Sequence, residues 1–137
     1  MLKKLAILIL GITVTCSAQE RFQSGEFKGF TKSPTEHIIC RIEEPFTVPS
    51  VQGTIVFRGK DDPLSDVAFE IRGPGSQERI RATKTDSAGH FKNRHVPEGT
   101  YTFKATRYGF QSVVGKIILS RKANRKNTID VQMPIGV

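Results

Sequence analysis

From Val51 to Met133 the chain is interrupted every few residues by turn-forming residues, and the pieces between are too short for helices. "VQGTIVF" (51–57), "DVAFEIR" (66–72), "ERIRATKT" (78–85), "HFKNRHV" (90–96), "TYTFKATRY" (100–108), "SVVGKIIL" (112–119) and "NTIDVQM" (127–133) are the strand candidates. Between them stand breakers such as "GPGSQ", "DSAG" and "PEG". Alternation with a period of two is the mark of a strand with one buried face. It assigns Val67, Phe69, Ile71, Ile80, Ala82, Phe91, Tyr101, Phe103, Ala105, Ile129, Val131 and Met133 to the inside. Seven short strands with turns at close intervals, no helical period and no repeat predict an all-β sandwich.

The sandwich also follows from energetics. A single hairpin is at best marginal in water. Two sheets pressed together bury both apolar sets, at roughly 1.5–3 kcal/mol per large side chain. That gain must offset a backbone cost of about 1–2 kcal/mol per ordered residue.

The first residues, "MLKKLAILILGITVTCSAQE", have a different character. Lys3 and Lys4 precede an apolar run from Leu5 to Val14, and Cys16-Ser17-Ala18 supplies small residues behind it. This is the layout of a secretory signal peptide, with cleavage expected after Ala18. The run is too short to span a bilayer comfortably. Acylation at Cys16 is disfavoured by Thr15, which stands where lipoprotein signals carry Gly, Ala or Ser. Cleavage would leave Cys40 as the only cysteine, with no intramolecular disulfide open to it. Its apolar neighbours Ile38, Ile39 and Ile42 predict a buried, inert thiol, with pairing to another chain as the alternative.

Residues 19–48 read as a leader to a domain spanning 49–137. "QERFQSGEFKGFTKSP" holds no period, so it predicts a poorly ordered stretch whose phenylalanines 22, 27 and 30 are free to pack on the domain or a partner. "EHIICRIEEPF" (36–46) fits an extra edge strand or a short helix, ended by Pro45 and Pro49.

"VQGTIVF", then "PLSDVAFEIRG", then "TDSAGHFKNRHVPEGTYTFKATRYGF" resemble, in order and spacing, the carboxypeptidase regulatory-like domain, also called transthyretin-like or prealbumin-like. Thr85, Asp86, Gly89, Phe91, Val96, Pro97, Gly99, Tyr101, Gly109 and Phe110 carry the match. The resemblance implies a single seven-stranded Greek-key β-sandwich with a central hairpin at "TDSAG". It says little about function, because such modules accompany many different partners.

Catalytic signals are weak. His90, His95, Tyr101 and Tyr108 are the residue types of the two-Tyr, two-His ferric site of intradiol dioxygenases, but the paired His-x-His is missing. Histidines five apart in one strand also face opposite ways. Transthyretin-like hydrolases end in Tyr-Arg-Gly-Ser, whereas this chain ends in "QMPIGV". No G-x-S-x-G, H-E-x-x-H or C-x-x-C occurs. Neither a cofactor nor a metal is expected.

Charge is the remaining clue. The formal net charge is +8, or +6 once Lys3 and Lys4 are gone. Such a surface attracts anionic partners over a salt-screened range. Arg79, Arg81, Lys92, Arg94 and Lys104 alternate with inward positions and are expected on one basic sheet face. Arg121, Lys122, Arg125 and Lys126 form a second cluster in a loop. The competing reading is a solvated face whose cations discourage sheet-to-sheet aggregation. The expectation is an exported, non-enzymatic binding or structural module of the cell envelope or extracellular space. Its partner would be an anionic polymer or a protein, not nucleic acid, for which no aromatic stacking platform is present. The alternative is an exported enzyme, or an accessory subunit of one.

Overall fold

The computed structural model describes residues 16–20, 27–36, 39–74 and 79–136. The signal-peptide reading of residues 1–15, Phe22 and Ile38 lie outside the described residues. Ten strands run in chain order: β1 (Cys16–Glu20), β2 (Ile39–Ile42), β3 (Phe46–Val48), β4 (Val51–Phe57), β5 (Ala68–Arg72), β6 (Arg81–Lys84), β7 (His90–Asn93), β8 (Gly99–Thr106), β9 (Val113–Leu119) and β10 (Ile129–Met133). Each of the seven segments read as strands from Val51 onward corresponds to one of β4 to β10, β8 starting one residue earlier, at Gly99.

Two sheets make the sandwich. The large sheet runs β1-β2-β9-β8-β5-β6, with β3 also on β9; the small sheet runs β10-β4-β7. β2 and then β3 lie parallel to β9, one after the other along the same edge. Glu43 to Pro45 separate them, and prolines suit such an edge because they have no N–H to donate.

The inner faces meet as the alternation requires. Phe69 and Ile71 of β5, Phe103 and Ala105 of β8, Val113 and Ile117 of β9, Ile55 of β4 and Ile129 and Met133 of β10 are sealed from solvent. Phe69 stacks on Phe91 of the opposite sheet at 4.1 Å and on Phe103 of its own at 5.2 Å. This ring ladder joins the sheets across the core. Gly115 faces Phe103, and a Cβ there would lie 2.7 Å from the ring.

Three expectations are corrected. Residues 27–36 are not loose. They turn at Phe27–Phe30 and lie against the outer face of the large sheet, where Phe27, Phe30, Ile39 and Val114 form a second apolar cluster. The β6 faces are reversed: Ile80 packs against that second cluster and Ala82 is exposed. β6 is an edge strand, and its inner side looks onto the flank of β7 instead of the core. The 86–89 turn is also no hairpin between paired strands. β6 pairs with β5 and β7 pairs with β4, so the turn carries the chain from one sheet to the other. Asp86 and Gly89 still close it as expected. The Gly89 N–H donates to Asp86 O at 2.9 Å, and φ of Gly89 is +78°.

Cys40 is buried, as expected, but it is disulfide-bonded. The chain's other cysteine, Cys16, opens β1, which pairs with β2. The lone-thiol expectation assumed removal of residues 1–18, and a cut after Ala18 falls within β1.

Candidate anion-binding face

β7 alternates cleanly. Phe91 points into the core, while His90 and Lys92 are exposed on the outer face of the small sheet. Strand geometry sets these two outward side chains about 6.8 Å apart. The register places Gln52 beside Lys92 and Thr54 beside His90, with Asp130 next to Thr54. Past Asn93 the chain leaves the strand. Arg94 and His95 are exposed, His95 has φ of +60°, and Val96 re-enters the core. The turn that follows is anchored by the Tyr101 hydroxyl, which donates to Pro97 O at 2.5 Å.

The β9–β10 loop reaches the same end of the sandwich. The Arg121 N–H donates to Glu98 Oε2 at 2.5 Å, binding the loop to the turn before β8. Arg94, Lys92 and Arg121 thereby line one hollow of about 310 Å³ together with the Glu98 carboxylate and the apolar Val51, Val96 and Leu119. Asn93 is in its wall, and its Nδ2 is buried without a hydrogen-bond partner among the described residues. Three cations around one hollow are a place for an anionic oxygen.

A second, more open hollow of about 690 Å³ lies on the outer face of the small sheet. Lys92 and Arg94 line it too, with His90, Gln52, Thr54 and Thr128. The two hollows share the Lys92–Arg94 ridge. Asp86 and Lys84 close one side. The Asp86 carboxyl lies below the usual aspartate range, first because the His90 N–H donates to it and further because the Ala88 N–H does.

The structure sorts the nine expected cations. Lys92 and Arg94 converge with Arg121, joining the two clusters that the sequence kept apart. Lys126 lines a separate hollow with Thr47 and Asp130. Lys122 and Arg125 are exposed on the loop. Arg79 is exposed; Arg81 is half-buried and donates to His95 O at 3.4 Å. Both belong to the β6 side of the large sheet and line neither of the two hollows. Lys104 is the correction. It is 0 % exposed, under the arm that residues 27–36 form over the large sheet, with its Nζ 3.0 Å from Glu36 Oε2. Strand alternation placed it outward correctly, but the chain covers that outward face. Gln52, Thr54, Asn93 and Thr128 were missed. Gln52 and Thr54 hold the outward positions of "VQGTIVF", a signal present in the alternation; nothing in the sequence marks Asn93 or Thr128.

Among the described residues no group of three or more His, Cys, Asp or Glu could hold a metal ion. No helix there is long and apolar enough to cross a membrane.

Fold and site define a two-sheet β-sandwich with a polar, cationic face on its smaller sheet. The carboxypeptidase regulatory-like domain matches residues 50–134, more than half of the chain, and the protein belongs to that family. No curated protein matches the chain.

Proposed function

We propose that this protein is an exported, non-enzymatic binding module that holds an anionic component of the cell envelope or extracellular space. The observation that carries this reading is the convergence of Lys92, Arg94 and Arg121 on one hollow. Three cations drawn from two distant segments suit an anionic oxygen ligand. The signal-like start of the chain supports export.

The test is sedimentation of the purified protein with its host's isolated envelope fractions at low and high salt. Binding is expected at low salt and should weaken as salt rises. Lys92→Glu with Arg94→Glu is expected to abolish it, while Arg79→Glu leaves it nearly intact. Equal binding by wild type and the double reversal would overturn the reading. N-terminal sequencing of the protein recovered outside the cytoplasm checks the export component.

A further inference from the structure

We infer that the two hollows form one continuous track for an acidic polysaccharide, running along β7 from the outer face of the small sheet to the Arg121 end. This rests on the anionic-partner reading above and names its ligand class.

Continuity comes from Lys92 and Arg94, which line both hollows. Direction comes from charge. Lys92 and Arg94 follow the β7 segment, whereas the carboxylates stand to its sides: Asp86 lines the wider hollow, Glu98 the other, and Asp130 lies on the far strand, where Thr128 Oγ1 donates to it at 3.0 Å. A polyanion is therefore guided along β7 and away from β10.

The neutral groups select the polymer. Gln52 and Thr54 are interspersed with the cations and each can both donate and accept hydrogen bonds, while Thr83 and Thr128, whose hydroxyl protons go to Lys92 O and Asp130, can still accept. That inventory matches the hydroxyls of sugar units. Phe91 is the one apolar side chain of the wider hollow, and it is turned to the core. A lipid surface calls for protruding apolar side chains, which this hollow lacks. A peptide adding itself as a strand needs open carbonyls on β7. Two carbonyls on that flank are already engaged: Lys92 O by Thr83 Oγ1 at 3.2 Å, and His95 O by Arg81. With no aromatic platform in either hollow, the sugar must be held through its charge and its hydroxyls. A neutral glycan would have too little to bind.

The experiment titrates the isotope-labelled full chain with galacturonate oligomers of defined length, with poly-glutamate of equal charge, and with maltohexaose. The galacturonate series is expected to bind more tightly with length until the track is spanned. Amide shifts should fall at Thr54, His90, Lys92, Arg94 and Arg121. Gln52→Ala with Thr54→Ala should weaken the uronate hexamer roughly tenfold, and leave poly-glutamate within about twofold. Poly-glutamate binding as tightly as the hexamer, or shifts confined to residues 121–126, would overturn the track and leave the anionic-partner reading standing. Maltohexaose binding as well as the uronate would overturn it too, since charge would then be irrelevant. If neither anionic polymer binds, both readings fall.

Discussion

The outward faces of the two sheets begin from similar sequence and end in opposite states. Lys104 on β8 and Lys92 on β7 each alternate with buried aromatic residues, Phe103 and Phe91. Lys92 is exposed in an open hollow, while Lys104 is sealed from water. The difference is residues 27–36. Over the large sheet, Thr31 gives its N–H and its hydroxyl to the two Glu70 oxygens at 2.9 Å each. Glu36 takes Lys104 and also the Ser112 hydroxyl. Thr35 accepts from the Gly109 N–H and donates to Phe110 O, both at 3.0 Å. Glu70 and Lys104 are cross-strand neighbours, so the arm closes over a row of alternating charge. Over the small sheet no described segment lies. A period of two tells which way a side chain leaves its strand; whether water is waiting there depends on chain far away in sequence.

The comparison breaks most visibly at Lys104. Lys104→Ala leaves Glu36 buried opposite no cation, a change expected to cost about 3–5 kcal/mol. Urea denaturation should show it as a large fall in midpoint. Because that variant could fail to fold, Lys104→Met with Glu36→Gln is the companion. It removes both charges, keeps a partner for Ser112, and should recover at least half of the loss. A Lys104→Ala protein as stable as wild type would mean that the arm does not bury this pair in solution.

Much of the sandwich was legible because its signals are local. Alternation located β4 to β10, and Asp86, Gly89, Pro97 and Gly99 marked turns whose geometry needs those residues. The errors share a cause: each turned on a long-range partner. The turn chemistry of "DSAG" is the same whether the next strand pairs with the last or crosses to the other sheet. "RATK" carries one small apolar residue, so the sidedness of β6 was decided by Ile80 packing against the cluster of Phe27, Phe30, Ile39 and Val114. The arm looked structureless because its phenylalanines have no period. They need none, since they pack as individual anchors: Arg72 lies over Phe30 at 4.8 Å and donates to Lys28 O at 2.6 Å. For the candidate site, cation types were readable but grouping was not, because Arg121 joins Lys92 and Arg94 only through the turn at Glu98.

At the open face the expected effects on stability are small. Lys92→Ala with Arg94→Ala should move the unfolding free energy by no more than about 0.5 kcal/mol, since exposed cations without buried partners contribute little. The same protein should lose its salt-sensitive binding. A stability loss as large as that of Lys104→Ala would erase the distinction between the faces and make the ridge structural.

The smallest effect sharpens the comparison at Asp86, an exposed ion on the open side held by backbone amides instead of a buried counter-charge. Its carboxylate accepts from the Ala88 N–H at 2.9 Å and the His90 N–H at 3.0 Å. The folded pKa is depressed, with the His90 N–H as the first cause. A depressed pKa means that the folded state favours the ionised form. The stabilisation is therefore present above the unfolded value, roughly 3.9 for aspartate, and is lost as pH falls through the lower folded value. Asp86→Asn keeps an oxygen for the two amides but removes the charge. Wild type should be slightly more stable than the variant at pH 7, and the gap should begin to narrow as pH falls below about 4. Paired urea titrations at pH 7 and pH 3 measure it. A gap undiminished between pH 7 and pH 3 would assign the role of Asp86 to turn shape alone, leaving the buried pair under the arm as the place where charge matters to this fold.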